Sequence, residues 1–356
     1  MFDYVALVRF PDPEMSAQSV HIAKMVDELH RLQLLRYLVL PSSSVGRYEQ
    51  EYDISSLPVV RLPCLDLLSF SKDRGLRNPL LLSFLFRIKA TTFFFSSLAF
   101  LLLSRSEIWA REPAVAYIAS KLGRTAVLDL HGLESFPKTS VLPAIKRTAV
   151  CATVTRFLTR FVEACGGRAV FSPNAYDPYE FNDASANLFS TPTLVYIGRI
   201  RRDKGVSTLI NATKRLPCTV CLVGGKPRPP EGNIVFMGTQ PRSFVASALK
   251  SAYLIICPEE QAMFSQESCA LKYVEALASG RPVVCSDIPR TLNCSHTVKF
   301  QMGNANDLAE KIKLLLSNPE TAGYLGFKTR EAYAWNTWRN RILAICSKLG
   351  EVKMQN

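Results

Sequence analysis

Residues 264–284 read FSQESCALKYVEALASGRPVV: a polar loop, a helix expected from about Glu267 or Ser268, then a short apolar strand. The small residues of Ala276–Gly280 let a helix approach a sheet closely, and Gly280 ends it. Loop, helix and buried strand in that order are one turn of an α/β layer. Two glutamates, Glu267 and Glu275, flank the helix with seven residues between them. On one helix they would stand about 80° apart around the axis and about 12 Å apart along it. They cannot share a proton at that separation, but they can hold two ends of one elongated ligand. A carboxylate accepts two hydrogen bonds from a vicinal diol, the group a sugar or ribose offers.

Working outward, the same alternation fills the chain. YVALVRF near the start is apolar and β-rich, and SAQSVHIAKMVDELHRL puts Val20, Ala23, Met25, Val26 and Leu29 on a helical face. Strands are expected at LLRYLVLP, LPVVRLP, SEIWARE, TAVLDLHG, AVCATVT and RAVFSPN, with helices between most of them. Residues 173–192, rich in Pro, Asn, Asp and Ser, read as a linker. Alternation then restarts with LVYIG, CTVCLVGG, NIVFMG, YLIICP and PVVCS. The expected architecture is α/β, with two Rossmann-like doubly wound domains facing a cleft, 1–172 and 193–331, followed by a helix with a thick apolar face over 332–356. Ligands bind at the carboxyl ends of such sheets, so the motifs should follow strands.

The bulk numbers agree with two ordinary domains: 356 residues, 48% of them hydrophobic and 21% charged. The net charge is +13 and evenly spread, with 21 Lys and Arg against 15 Asp and Glu in residues 1–172. With no basic tail or run, this speaks against a nucleic-acid module and for phosphate-bearing ligands or an anionic membrane face. Ten scattered cysteines read as reduced core thiols of a cytoplasmic protein; Cys218 and Cys221 lie along a strand without further metal ligands. MFDYVALVRF is a strand and not a signal segment. Residues 90–104 form an uncharged stretch of about 22 Å if helical, short of a bilayer core. It is either a core helix or, with Arg87, Lys89 and Arg105 beside it, an interfacial one.

LVYIGRIRRDKGV carries the clearest chemistry. The strand turns at Gly198, and Lys204-Gly205 opens a helix whose free N–H groups and dipole favour an anion. Arg199 can grip a phosphate bidentately and Lys204 adds a point charge, which suits a diphosphate, while Arg201 and Arg202 point outward.

Taken together, YIGRIRRDKGVSTLI, ESCALKYVEALASGRPVV and SPNAYDP resemble the retaining GT-B glycosyltransferases of glycosyltransferase family 4, a group 1 family. The resemblance implies that Arg199 and Lys204 hold the donor diphosphate, that Glu267 touches the transferred sugar, and that Glu275 touches the ribose. It also implies backbone N–H contacts from Ser265 and Gln266, a place near the donor sugar for His131 of LDLHG, an acceptor-side role for 1–172, donor binding by 193–331, and a C-terminal helix over 332–356 that crosses back to the first domain. The loop after the first strand departs from the family's Gly-Gly pair and offers Ser16, Gln18 and Ser19 instead; Lys272 replaces a glycine and either faces the site or lies exposed. Without an Asp-x-Asp triplet, no metal and no cofactor are expected, only a UDP- or GDP-sugar as substrate. The implied acceptor is a glycan or a lipid-linked hydroxyl in cell-surface polysaccharide synthesis, reached from the cytoplasm at a membrane's inner face. Two other classes stay open: another GT-B enzyme such as a sugar-nucleotide epimerase, and a non-catalytic sugar-nucleotide scaffold.

Overall fold

The computed structural model describes residues 1–7, 16–42, 52, 57–67, 78–133, 138–260, 270–288 and 295–355. The chain divides into two compact units, Met1–Pro173 with Arg341–Asn356, and Asn174–Asn340.

In the first unit the elements run β1 (Phe2–Val5), α1 (Ala17–Arg31), β2 (Leu35–Pro41), β3 (Val59–Leu62), α2 (Pro79–Leu103), β4 (Glu107–Ala110), α3 (Pro113–Lys121), β5 (Ala126–Leu130), α4 (Lys138–Arg147), β6 (Val150–Thr153), α5 (Arg156–Ala164) and β7 (Ala169–Phe171). All pairings are parallel, in the order β3-β2-β1-β4-β5-β6-β7. The strand order reverses between β1 and β4, which opens a crevice at their carboxyl ends.

The second unit runs α6 (Pro178–Asp183), β8 (Thr193–Ile197), α7 (Val206–Thr213), β9 (Thr219–Glu231), β10 (Ile234–Gly238), α8 (Arg242–Ser251), β11 (Leu254–Cys257), α9 (Leu271–Ala278), β12 (Val283–Ser286), β13 (Val298–Phe300), α10 (Ala305–Ser317) and α11 (Pro319–Tyr333). Its parallel sheet has the order β10-β9-β8-β11-β12-β13, with the reversal between β8 and β11. Alternate residues of β8 enter opposite cores: Leu194 and Tyr196 join one apolar cluster, Val195 the other. β11 divides the same way, Leu254 and Ile256 against Ile255 and Cys257. That is why these strands read as unbroken apolar runs, since both faces of the sheet are covered by helices.

Three elements differ from the sequence reading. The apolar segment read at 90–104 belongs to a 25-residue helix, α2, started by Pro79 and capped by the Asn78 side chain on the N–H groups of Leu80 and Leu81. At 1.5 Å per residue it spans about 37 Å, and by length and composition it is apolar enough to cross a membrane, with 28% of its apolar window buried. Lys89, which broke the apolar run in the sequence, turns inward to Asp66 at 2.7 Å. Leu85, Lys89, Phe93, Ser97 and Leu101 form the buried stripe, while Leu80, Phe84, Phe95 and Leu102 are exposed.

The motif helix α9 starts at Leu271, after an extended Ala270 and without a side-chain cap. Its first turn forms where Leu271, Tyr273 and Val274 become buried, the packing that stabilises so short a helix. Glu267, where the sequence reading expects the start, lies outside the described residues. The last helix, α12 (Trp338–Gln355), begins six residues after the expected Ala332. In the break, Asn336 donates its side-chain amide to the Asn174 carbonyl at 2.9 Å and Thr337 bridges Tyr176.

Candidate functional site

In the second unit the turn after β8 is built by close backbone approach. The Gly198 N–H donates to the Val223 carbonyl at 3.0 Å, and a Cβ on Gly224 would fall 2.2 Å from the Gly198 oxygen. Gly205 caps α7 in the left-handed region, φ +68°, and a Cβ there would meet the Pro258 oxygen at 1.4 Å. The amino end of α7 is thereby pressed against the exit of β11, at the sheet's reversal point, where anions are favoured.

The side chains there carry an excess of positive charge. Arg199 is exposed and has no carboxylate within ion-pair distance among the described residues; its carbonyl accepts the Tyr196 hydroxyl at 2.8 Å. Lys204 Nζ bonds Glu259 Oε1 at 2.7 Å, and Lys272 Nζ approaches the same oxygen at 3.3 Å. Lys272 also lies 5.5 Å from the Tyr196 and Tyr273 ring centres. So Lys272 faces the turn after β8 and is not a solvent-side lysine. Glu259, 1% exposed, was missed by sequence reasoning. Its signal was a carboxylate directly after the β11 strand in YLIICPEE. It holds two ammonium groups at one point, and Thr208 donates to its neighbour Glu260.

Glu275 is 4% exposed and ion-paired with Arg242, whose guanidinium also takes Glu180 in a fork, Nε to Oε1 at 3.2 Å and Nη2 to Oε2 at 3.0 Å. Burial opposes the Arg242 charge, but the two carboxylates outweigh it and raise its pKa. Glu275 thus stands in a buried ion-pair network in this structure. Ser265, Gln266 and Glu267 lie outside the described residues. Cys218 and Cys221 are buried thiols, pushed up to about 11 by burial.

His131, Ser16, Gln18 and Ser19 belong to the first unit. Ser16 is the N-cap of α1: its Oγ accepts the Ser19 N–H at 3.3 Å and lies 3.1 Å from the Ser19 hydroxyl. Gln18 is exposed on the same turn. His131 follows β5, its side chain 22% exposed, with Nε2 3.1 Å from Asp129 Oδ1. The other Asp129 oxygen lies 3.3 Å from His21 Nε2, and Arg341 Nη2 donates to Oδ1 at 2.8 Å. Burial, then Arg111, lowers His131 to about 4; burial, then His131, lowers His21. Burial alone would raise Asp129, but Arg341 and His131 hold it well below the usual carboxylate range.

A family-model comparison bears on the second unit. Residues 191–318 match the model described as glycosyl transferases group 1. The match runs from just before β8 to the end of α10, so it contains the Gly198–Gly205 turn, Glu259 and α9. A curated relative, the sulfoquinovosyl transferase SQD2 of Arabidopsis thaliana, is 26% identical over 163 residues, 42% of this chain. The chain spans about a third of that relative's length, 31%. Among solved structures, sucrose-phosphate synthase from Thermosynechococcus elongatus is similar with a TM-score of 0.73 at 16% identity, covering 99% of this chain and 100% of the other. HepE of Anabaena, solved in complex with UDP-glucose, gives 0.67 at 14% over 99% and 100%. At such identities the likeness is one of fold, and the fold is GT-B: two α/β domains, each on a parallel sheet.

Proposed function

We propose that this chain is a retaining glycosyltransferase that moves a sugar from a UDP- or GDP-sugar to a hydroxyl of a glycan or lipid-linked acceptor. The observation that carries the reading is the turn at the β8–β11 reversal, where Arg199, Lys204 and Lys272 gather at the amino end of α7 inside the matched stretch. In the proposed reaction the bond from the anomeric carbon to the diphosphate oxygen breaks and a bond to the acceptor oxygen forms. The acceptor's proton passes to the leaving diphosphate, so no protein nucleophile is required. Arg199 and the two lysines take the charge that develops on the leaving group, the role a metal fills elsewhere. HepE's complex with UDP-glucose supports a UDP-sugar as the first donor to test.

Calorimetry of UDP, GDP, ADP and their sugars with EDTA present tests the donor class. Micromolar binding of one nucleotide, weakened at least tenfold in a folded Arg199→Ala variant, is expected. Equal binding by the variant would remove Arg199 from the site, and binding that requires a divalent ion would remove the metal-free reading. Once an acceptor is found, Arg199→Ala should lower kcat/KM at least ~100-fold. A product in which the sugar stays on its nucleotide with one centre inverted would select the epimerase class, and tight binding without turnover the scaffold.

The site of action, in this reading, is the cytoplasmic face of a membrane carrying the acceptor in cell-surface polysaccharide synthesis. The exposed Leu80, Phe84, Phe95 and Leu102 of α2, beside Arg87 and Arg105 in a chain of net charge +13, support contact with an anionic bilayer. Co-sedimentation with vesicles should rise with anionic lipid content and fall in Phe84→Glu. Indifference to lipid charge would count against the membrane site.

A further inference from the structure

Helix α11 of the second unit reverses the usual amphipathic arrangement. Its inward face is made of small residues, with Ala322, Gly326 and Thr329 buried. Gly326 fits tightly under the end of α9, where a Cβ would lie 2.4 Å from the Gly280 oxygen, and Thr329 Oγ1 bonds the His296 carbonyl at 3.1 Å. At about 100° per residue, Phe327, Lys328 and Glu331 lie within roughly 60° of Tyr324, on the side opposite those three. Ala334 keeps a helical backbone beyond the last turn, which carries Trp335 along the same line. Tyr324, Phe327 and Trp335 are 59%, 62% and 57% exposed. A surface helix ordinarily turns its large apolar residues inward, so three rings in one outward stripe mark a face that is covered in use.

The charges within the stripe bear on what covers it. Lys328 and Glu331 are ion-paired at 2.8 Å in its middle. The point midway between them, at Thr329 and Arg330, is also midway between Tyr324 and Trp335. A second α11 laid antiparallel on the first, about a two-fold axis through that point, sets Lys328 against Glu331 of the other copy. The same axis sets Tyr324 against Trp335 of the other copy. A two-fold contact uses one patch twice and therefore requires this self-complementarity. An anionic bilayer would instead meet the Glu331 carboxylate at the centre of the patch. A fully buried ring removes about 150–250 Å² from water, so at these exposures the rings of both copies supply roughly 500–900 Å². That is the size of a weak, reversible interface and not of an obligate one.

We propose that the outer face of α11 is a self-association surface, through which two copies of this chain form a reversible antiparallel dimer with the Lys328–Glu331 pairing exchanged between them.

Sedimentation equilibrium of the full chain, from low to high micromolar concentration, tests this. A monomer–dimer equilibrium with a micromolar Kd is expected, weakening as salt is added. Phe327→Glu should be monomeric. Glu331→Lys and Lys328→Glu should each weaken the dimer at least ~tenfold, because like charges then meet across the axis. An equal mixture of those two variants should recover it, since each supplies the charge that the other lacks. Circular dichroism and an unchanged melting midpoint identify all three as folded. Phe84→Glu, which alters the exposed face of α2, should leave the dimer intact, and its loss there would move the contact to α2. A wild type that stays monomeric, a dimer that survives Phe327→Glu, assembly beyond two copies, or a mixture no tighter than its components would overturn the proposal. A monomeric wild type that binds anionic vesicles less well as Phe327→Glu would give the stripe to lipid instead.

Discussion

At the scale of single residues, Gly205 shows how little freedom the β8 turn leaves. A Cβ at φ +68° is disfavoured, and here it would also lie 1.4 Å from a backbone oxygen that cannot swing away. Gly205→Ala should lower stability by more than about 2 kcal/mol, beyond an ordinary helix-cap substitution, and it should weaken nucleotide binding as well. Thermal unfolding with and without UDP measures both, and an unchanged midpoint would contradict the geometry. The titratable cluster around Asp129 makes a second residue-level prediction. His131 titrates near 4 in the fold and near 6.5 unfolded, so the unfolded chain binds more protons between those values. Stability from this group is full above pH 6.5 and is lost as pH falls toward about 4. His21, lowered in the same direction, adds to the loss. Asp129, also lowered, keeps its contribution until pH drops below its unfolded range near 3.8. A melting curve that falls between pH 6.5 and 4, and falls less in His131→Asn, is expected.

At the scale of elements, α8, α9 and α6 are joined by the Glu180–Arg242–Glu275 network. Removing the cation leaves two buried carboxylates without it, so Arg242→Met should destabilise the second unit by about 3–5 kcal/mol. Glu275→Gln should cost less, since Arg242 keeps Glu180. A small effect of Arg242→Met would mean that water reaches the pair. The same network explains what the sequence did and did not disclose. Gly198, Gly205, Arg199 and Lys204 were legible because a strand, a turn and a helix start are local, and their residues lie within eight positions of one another. Glu180 and Arg242 are 62 residues apart, and Arg341 and Asp129 are 212 apart. Partnerships at that separation leave no mark in the pattern of one sequence. The length of α2 was hidden for another reason: Arg87 and Lys89 look like the edge of an apolar segment until Lys89 is seen turned onto Asp66.

At the scale of the whole molecule, the two sheets share one strand order through their first six positions, and each reverses beside its own first strand. Both domains were legible because covered parallel strands must be apolar throughout, whichever ligand they serve. The charge of +13 acts at this scale too, drawing anionic ligands toward the surface from beyond contact distance. What happens on arrival differs, because Lys204 and Lys272 already share the buried Glu259 carboxylate. In the proposed reading, a diphosphate settling there would take the place of an internal counterion and displace few ions from solution. Binding would then be an ion exchange within the protein. Association should slow steeply with added salt, while dissociation should barely respond. Stopped-flow binding of UDP between low and physiological salt would separate the two, and a strongly salt-dependent off-rate would show that the lysines meet their ligand bare.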